Sequence, residues 1–550
     1  MNAQACSLIR LGTIRVRLIQ LAGRLQCADT MPLAIRTLES RLEGIPGVEV
    51  RSTILEDQGE SSIDNSGLNE LFTDVDIVGI SIPQGTSALA LNLLDRSPKG
   101  PHRPLIVLGH SLPTNDPDWF LDRFPDVIVV RGWGEDTFAS IVNIRLKNSL
   151  LPNSLDCIPN LAFRKEGATV LTPPEWPHEF TTVSPRHLDG RTFRVEASRG
   201  CHHNVCTFCT RNPGNVKWAP YPVQDVVRYI LYLKSSGVRR FAFTDEDFVG
   251  SDVDRALQLS EKIAEIGGLS FNLSLRADNI FNPNDDEAKN QKRLAILKNL
   301  KSAGLVYAMF GAESLSVSQL KRYGKGIDPS VNIAAARRLA ELDIPFEMGF
   351  ILFDPFVTWD ELSENAHRLD QTGLWRRVGH LFTQLHAQRN SPFVALIQRE
   401  GLITTYKPDT LEYLYQYRNE SVGTFAGLCT RAMGESDPIY RISKAIDRST
   451  FPAKDVDEFF QDWKRADFNL LMRYLREVRG EAPSESAADG VFRDYQRMRL
   501  EVATAGLEMI EPLAEPVALR QNLRWELERL LGRAQARSGG IGGLPIPASS

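Results

Sequence analysis

Three cysteines fall within nine residues of this chain, in the segment Ser198-Arg199-Gly200-Cys201-His202-His203-Asn204-Val205-Cys206-Thr207-Phe208-Cys209. The spacing C-x4-C-x2-C puts three thiolates on one short loop, where they can converge on a single inorganic centre. A [4Fe–4S] cluster normally takes four cysteine ligands; only three are local here, so one iron is left open for another ligand. The competing chemistry is zinc, whose tetrahedron His202 or His203 could complete. Structural zinc sites usually come as two spaced pairs, however, and no second CxxC exists in the sequence. The other cysteines (Cys6, Cys27, Cys157 and Cys429) are scattered over 550 residues. That excludes a disulfide framework and suits burial as small apolar side chains.

A loop of this kind needs a rigid frame. Candidate strands are Phe193–Ser198, Arg239–Asp245, Leu269–Arg276, Leu305–Gly311, Ile344–Phe353 and His380–Gln388, alternating with helical patterns. After the first of them, Val223, Val226, Val227, Ile230 and Leu233 follow helical spacing; Pro222 can start that helix and Gly237 can end it. Six βα units make an incomplete (β/α)6 barrel. By analogy with closed barrels, chemistry should collect at the strands' carboxyl ends, where the cysteine loop begins. Upstream, Thr13–Leu21, Val48–Leu55, Asp76–Ile82, Pro104–Gly109 and Asp126–Arg131 alternate with amphipathic stretches such as Pro32–Leu42. This predicts a second α/β unit, a mostly parallel, doubly wound sheet that holds ligands at its strands' carboxyl ends.

The cysteine segment resembles the signature of the radical S-adenosylmethionine (SAM) superfamily, whose usual spacing is C-x3-C-x2-C with an aromatic just before the last cysteine. Phe208 fills that position, and one extra residue separates the first two cysteines. The resemblance implies that Cys201, Cys206 and Cys209 hold a [4Fe–4S] cluster whose open iron is chelated by SAM. The reduced cluster then cleaves SAM to methionine and a 5′-deoxyadenosyl radical, which abstracts a hydrogen atom. It further implies SAM contacts on the later strand ends. In FAFTDEDFVG, Glu246 or Asp247 would accept from the SAM amino group, unless Asp245, Glu246 and Asp247 only begin and cap the next helix. In SLRAD, Arg276 would pair with the SAM carboxylate or else with Asp278. FGAES followed by LKRYGKG resembles the family's G-x-E-S element and later Lys-Gly pair, here Gly311, Glu313, Ser314 and Lys325-Gly326. Asp354-Pro355 would form a turn.

The first unit resembles the cobalamin-binding domain often fused ahead of such barrels, through DVDIVGISI (Asp74–Ile82), IVLGHSLPT (Ile106–Thr114) and DVIVVRGWGEDTF (Asp126–Phe138). The resemblance implies cobalamin contacts from Ser81, Gly109, His110, Pro113, Gly132 and Glu135. His110 and Trp133 replace a glycine and a glutamate of the family pattern. The histidine ligand motif D-x-H-x-x-G is absent, and His110 reads more readily as a satisfied loop histidine than as a cobalt ligand. The organisation expected is therefore a Rossmann-like domain over residues 1–147, a Pro-rich linker over 148–190 with a hairpin turning at Glu166-Gly167, and the barrel over 191–395. A mainly helical region over 396–537 and a disordered Gly/Pro/Ser-rich tail over 538–550 complete it.

The net charge of −5 and pI of about 6.1 give no electrostatic argument for nucleic acid. No apolar run approaches the roughly 18 residues that cross a bilayer. Arg10, Arg15 and Arg17 sit where a signal peptide needs its apolar stretch, so the expected location is cytoplasmic. The function implied is that of a cobalamin-dependent radical SAM enzyme acting on an unactivated carbon of a small-molecule or peptide substrate, with C-methylation the expected outcome. It would draw electrons from a flavodoxin or ferredoxin. The alternatives are a cyclisation or rearrangement, with or without cobalamin, and a non-catalytic zinc-stabilised binding protein. No side chain is assigned as catalytic.

Overall fold

The computed structural model describes residues 13–23, 31–56, 65–100, 103–147, 152–176, 179–185, 192–210, 218–445, 454–478, 485–510 and 517–537. The tail 538–550, parts of 148–190, and Cys6 and Cys27 lie outside these residues.

Strands β1 (Ile14–Ala22), β2 (Val48–Glu56), β3 (Ile77–Ser81), β4 (Leu105–Gly109) and β5 (Ile128–Val130) form a parallel sheet in the order β2-β1-β3-β4-β5. The strand order reverses direction between β1 and β3, the switch point at which such sheets open a ligand crevice. Apolar residues feed both faces. Ile14, Val16 and Leu18 pack with Ile35, Phe138 and Ile141, while Ile19 and Leu21 pack with Leu93, Leu94 and Phe120. Burial on both sides explains why β3 and β5 read as unbroken apolar runs.

The hairpin expected at Glu166-Gly167 forms from β6 (Leu161–Lys165) and β7 (Ala168–Leu171). Both turn residues take positive φ, 51° and 82°, as a two-residue hairpin turn requires. Its destination differs from a linker: β6 pairs antiparallel with β5 and extends the first sheet to seven strands. This covers backbone groups that β5 would otherwise leave unpaired.

In the second unit, β8 (Phe193–Val195) leads into a short antiparallel pair, β9 (Ser198–Arg199) with β10 (Ala219–Pro220), which closes the base of the cysteine loop. β11 (Arg240–Phe243), β12 (Ser270–Leu275), β13 (Leu305–Glu313) and β14 (Phe346–Phe350) complete a parallel sheet with β8, in the order β8-β11-β12-β13-β14. The sixth position is taken by the segment 378–388, which continues the parallel order through two bridges, Met348 to Val378 and Phe353 to Gln384. Helices cover the outside. Val223–Ser235 buries Val223, Val226, Ile230 and Leu233, as its spacing requires, and Gly237 follows it at φ 91°.

The region beyond the barrel opens with a hairpin that the sequence reading missed, β15 (Ile403–Lys407) and β16 (Glu412–Tyr415). Its tip reaches the first unit: Leu411 joins the core under β3 and β4, the Ser87 amide donates to Asp409 Oδ1 at 2.8 Å, and Tyr406 Oη donates to Asp116 Oδ2 at 2.8 Å. The helices Glu420–Ala445, Lys454–Glu477, Glu485–Ile510 and Val517–Arg537 follow. They rest on the barrel through a ring stack of Trp359, Phe425 and Tyr474 and another of Trp375 with Phe468.

Candidate active site

The carboxyl ends of the two sheets share one cavity of about 800 Å³, at the upper end of the usual size for small-molecule sites. The first sheet contributes Gln20, Ser81, Gly109, His110, Gly132 and Glu135, and the second contributes Arg194, Glu196, Arg199, Thr244 and Glu246, with Thr210 from just past the last cysteine. Two further walls are Trp133 and Trp176, edge to face at 4.8 Å, with Arg199 lying 5.2 Å from the Trp133 ring.

Five of the six residues expected to meet cobalamin therefore line this cavity, whereas Pro113 is buried in the short helix behind it. The walls suit a large flat polar ligand. The Ser81 hydroxyl is buried with no hydrogen-bond partner, and the backbone at Gly109, Gly132 and Gly134 carries no side chain into the space. His110 stands at φ 80° with Nδ1 accepting the Ser111 amide at 2.7 Å, the arrangement of a loop histidine held by its own turn. Glu135 is committed across the cavity: Arg199 Nη2 donates to it at 2.6 Å, while Arg199 Nε donates to Glu196 at 2.7 Å. Burial raises the Glu196 carboxyl above the ordinary range, against the pull of Arg199. Glu196 and Arg199 lie just before the cysteine triplet; an oppositely charged pair three residues apart beside a ligand loop is the signal that could have marked them.

Cys201, Cys206 and Cys209 are half-buried and form no disulfide. Burial raises the Cys206 thiol, and the Lys325 and Arg276 cations oppose that rise. Among the described residues no three His, Cys, Asp or Glu side chains converge as one metal ion would need. A single tetrahedral zinc would draw its sulfurs to about 3.8 Å from one another. The two histidines that could complete such a tetrahedron point elsewhere, His203 Nε2 to the Gly324 carbonyl and His202 Nδ1 to Asp247, which leaves three thiolates, the donor set of a cluster with one open iron. Phe208 packs edge to face on Tyr323 at 5.7 Å, within an apolar cluster that includes Phe356 and Phe393. It anchors the loop from below.

The remaining predicted contacts separate sharply. Glu246 lines the cavity. Asp247 is fully enclosed: Asn279 Nδ2 donates to it at 2.7 Å, the Arg276 amide donates at 3.2 Å, and His202 Nδ1 lies 3.1 Å away. Asp245 accepts from the Ala197 amide and the Ser198 hydroxyl. None of the three caps the next helix, whose N-cap is Asp252. Arg276 grips Asp278 with two bonds of 3.0 Å and also donates to the Lys325 carbonyl; this is a buried pair rather than a surface one. Glu313 stands at φ 61° on a bulge where β13 meets β14, and its carboxylate lies 3.5 Å from Lys325 Nζ. Gly311 makes this possible, since a Cβ there would sit 2.3 Å from Glu313 Oε1. Ser314 is fully buried; its hydroxyl bonds Gln319 and Asn365 and so orders the loop behind the site rather than facing the cavity. Asp354 is likewise more than a turn residue, since it takes an ion pair from Arg322 and a hydrogen bond from Tyr323. Of the scattered cysteines, Cys429 is buried as expected and Cys157 is exposed.

Comparison with known proteins agrees with this geometry. A family model described as the radical SAM superfamily matches residues 195–369. A curated relative, 4′-phospho-dehydrooxetanocin synthase of Priestia megaterium, is 29% identical over 329 residues, which cover 55% of this chain and 44% of that protein. The chain thus matches less than half of that relative's length. Among solved structures, the cobalamin-dependent S-adenosylmethionine radical enzyme OxsB with aqua-cobalamin and S-adenosylmethionine bound superposes with a TM-score of 0.73 at 20% identity, covering 97% of this chain and 82% of that one. The radical S-adenosylmethionine methyltransferase TsrM of Kitasatospora setae, with cobalamin and a [4Fe–4S] cluster bound, gives a TM-score of 0.57 at 14% identity, covering 88% of this chain and 99% of that one. At such identities the structural likenesses speak for the fold. The radical SAM likeness therefore lies over residues 195–369, the stretch that carries the cysteine loop and strands β9 and β11 to β14.

Proposed function

We propose that this chain is a cobalamin-dependent radical SAM enzyme that acts on an unactivated carbon of a small molecule. The observation that carries the reading is the shared cavity: the radical SAM barrel and the doubly wound sheet point their carboxyl ends into one space, lined by Arg199 and Thr210, the residues that bracket the cysteine loop. Cys201, Cys206 and Cys209 would hold the cluster, Glu246 would meet the SAM amino group, and the wall from Ser81 to Glu135 with Trp133 would hold cobalamin. When bound, these groups supply reductive cleavage of SAM to a hydrogen-abstracting radical, together with a cobalt centre for methyl or electron transfer.

The chain's own residues bind, orient and exclude water. Lys325 and Arg276 bring positive charge to Cys206, which favours the thiolate that a cluster requires. The Glu135–Arg199–Glu196 bridge ties the first sheet to the exit of β8, so both walls hold a common register. Val205, between the first two cysteines, is 63% exposed. This leaves the loop within reach of an external reductant such as a flavodoxin or ferredoxin, consistent with a cytoplasmic enzyme.

C-methylation is the outcome that the family resemblance implies as commonest, and TsrM is named a methyltransferase. Rearrangement is the second reading, and the curated relative is named a synthase rather than a methyltransferase. Turnover of anaerobically reconstituted protein with methyl-labelled SAM decides between them. Label in the product supports methyl transfer, and 5′-deoxyadenosine with an unlabelled product supports rearrangement. Replacing Cys201, Cys206 and Cys209 with Ala should abolish 5′-deoxyadenosine formation in either case; persistent formation would sink the whole assignment.

A further inference from the structure

Four consecutive carbonyls after β13 each accept a hydrogen bond from another part of the barrel. Arg322 O accepts from Thr207 Oγ1 at 2.9 Å, Tyr323 O from the Thr207 amide at 2.9 Å, Gly324 O from His203 Nε2 at 2.7 Å, and Lys325 O from Arg276 Nη2 at 3.1 Å. They belong to the end of the helix Val317–Arg322 and the turn beyond it, where carbonyls lack intrahelical partners. Three of the four donors are on the cysteine loop. The contact is close enough to exclude side chains: a Cβ at Gly324 would lie 2.7 Å from Val205 O, and one at Gly326 would lie 3.0 Å from His203 Cε1. Both glycines hold positive φ, 64° and 69°.

The turn is held from behind. Arg322 bonds Asp354 and Glu361, and the Tyr323 hydroxyl donates to Asp354 at 2.8 Å. It is therefore the fixed member of the pair, and the cysteine loop is the member laid against it. A carbonyl only accepts, so His203 carries its proton on Nε2 and that nitrogen is committed as a donor.

We propose that residues 322–326 form a template for the cysteine loop, with His203 as the positioning residue that sets its register against Lys325 and Glu313. The proposal rests on the cluster reading of the three cysteines and adds how their loop is aligned with the SAM side of the site.

The test compares full-length wild type with His203→Leu, which removes the donor, and His203→Gln, which keeps an N–H at similar reach. Amide hydrogen exchange over 203–207 is measured in the apoprotein. SAM affinity and the SAM-induced change in the electron paramagnetic resonance of the reduced cluster are measured after anaerobic reconstitution. Loss of one partly buried hydrogen bond that leaves its carbonyl unpaired should raise exchange and weaken SAM binding about 10-fold in His203→Leu. The resonance change should be lost in that variant, and His203→Gln should recover most of each effect. A leucine variant with wild-type exchange, affinity and spectrum would overturn the proposal. Should that variant fail to take up iron, exchange in the apoprotein decides: slow exchange as in wild type overturns the template, and fast exchange supports it. Wild-type protein that takes up no iron would defeat the cluster reading instead, and the exchange comparison would still judge the template.

Discussion

The three acids after β11 end in three environments, although they are neighbours in sequence. Asp247 is enclosed by Asn279 and the Arg276 amide, Glu246 faces the cavity, and Asp245 is buried against Ala197 and Ser198. Burial pushes the Asp245 carboxyl up to about 7, with the Ser198 and Ala197 bonds opposing the rise. A carboxyl raised on folding favours the protonated form in the folded state. Its stabilising contribution is thus full below the unfolded value near 4 and is lost as pH rises through about 7. Thermal unfolding of the apoprotein between pH 5 and 8 should show this decline, and Asp245→Asn should flatten it; an equal slope in both proteins would remove the titration from Asp245. The fate of such residues was only partly legible. Residue type and local spacing mark the cysteine triplet because all its ligands lie on one loop. The orientation of Asp247 depends on Asn279, 32 positions away, and that of Ser314 on Asn365, 51 positions away. No local pattern carries either.

At the level of elements, the β15–β16 hairpin shows where the sequence reading ended too early. Its strands are short and half-buried, so alternation is weak; the one signal was the Pro408-Asp409 pair between ITTYK and LEYLY. The earlier hairpin was legible through Glu166-Gly167, yet its docking on β5 was not, because an edge strand does not announce its partner. Leu411 is 2% exposed within the first unit's core. Leu411→Ala should destabilise that unit by about 2–5 kcal/mol. Asp409→Ala removes the acceptor for the Ser87 amide at the start of the helix Ser87–Asp95 and should cost about 1 kcal/mol. Denaturant unfolding checks both, with the first unit expected to become the earlier site of proteolytic cleavage.

For the whole molecule, the proposed function gives each sheet its own cofactor at the one shared space, so the two cofactor sites should load independently. Metal analysis after reconstitution should find cobalt retained in the Cys201, Cys206 and Cys209 alanine variants. Trp133→Ala should instead weaken cobalamin uptake about 10-fold, the loss expected for one large aromatic wall, while iron stays at the wild-type level. Joint loss of both metals in either variant would contradict separate holders. The hairpin contact also has a consequence for biosynthesis. Asp409 lies 322 positions after the Ser87 that it caps, so at about 5–20 residues per second the emerging chain waits roughly 15–65 s between making Ser87 and delivering the residue that caps it. During that interval the nascent N-terminal unit holds an unfilled apolar slot, the stage of synthesis at which chaperone capture or misassembly would act on it.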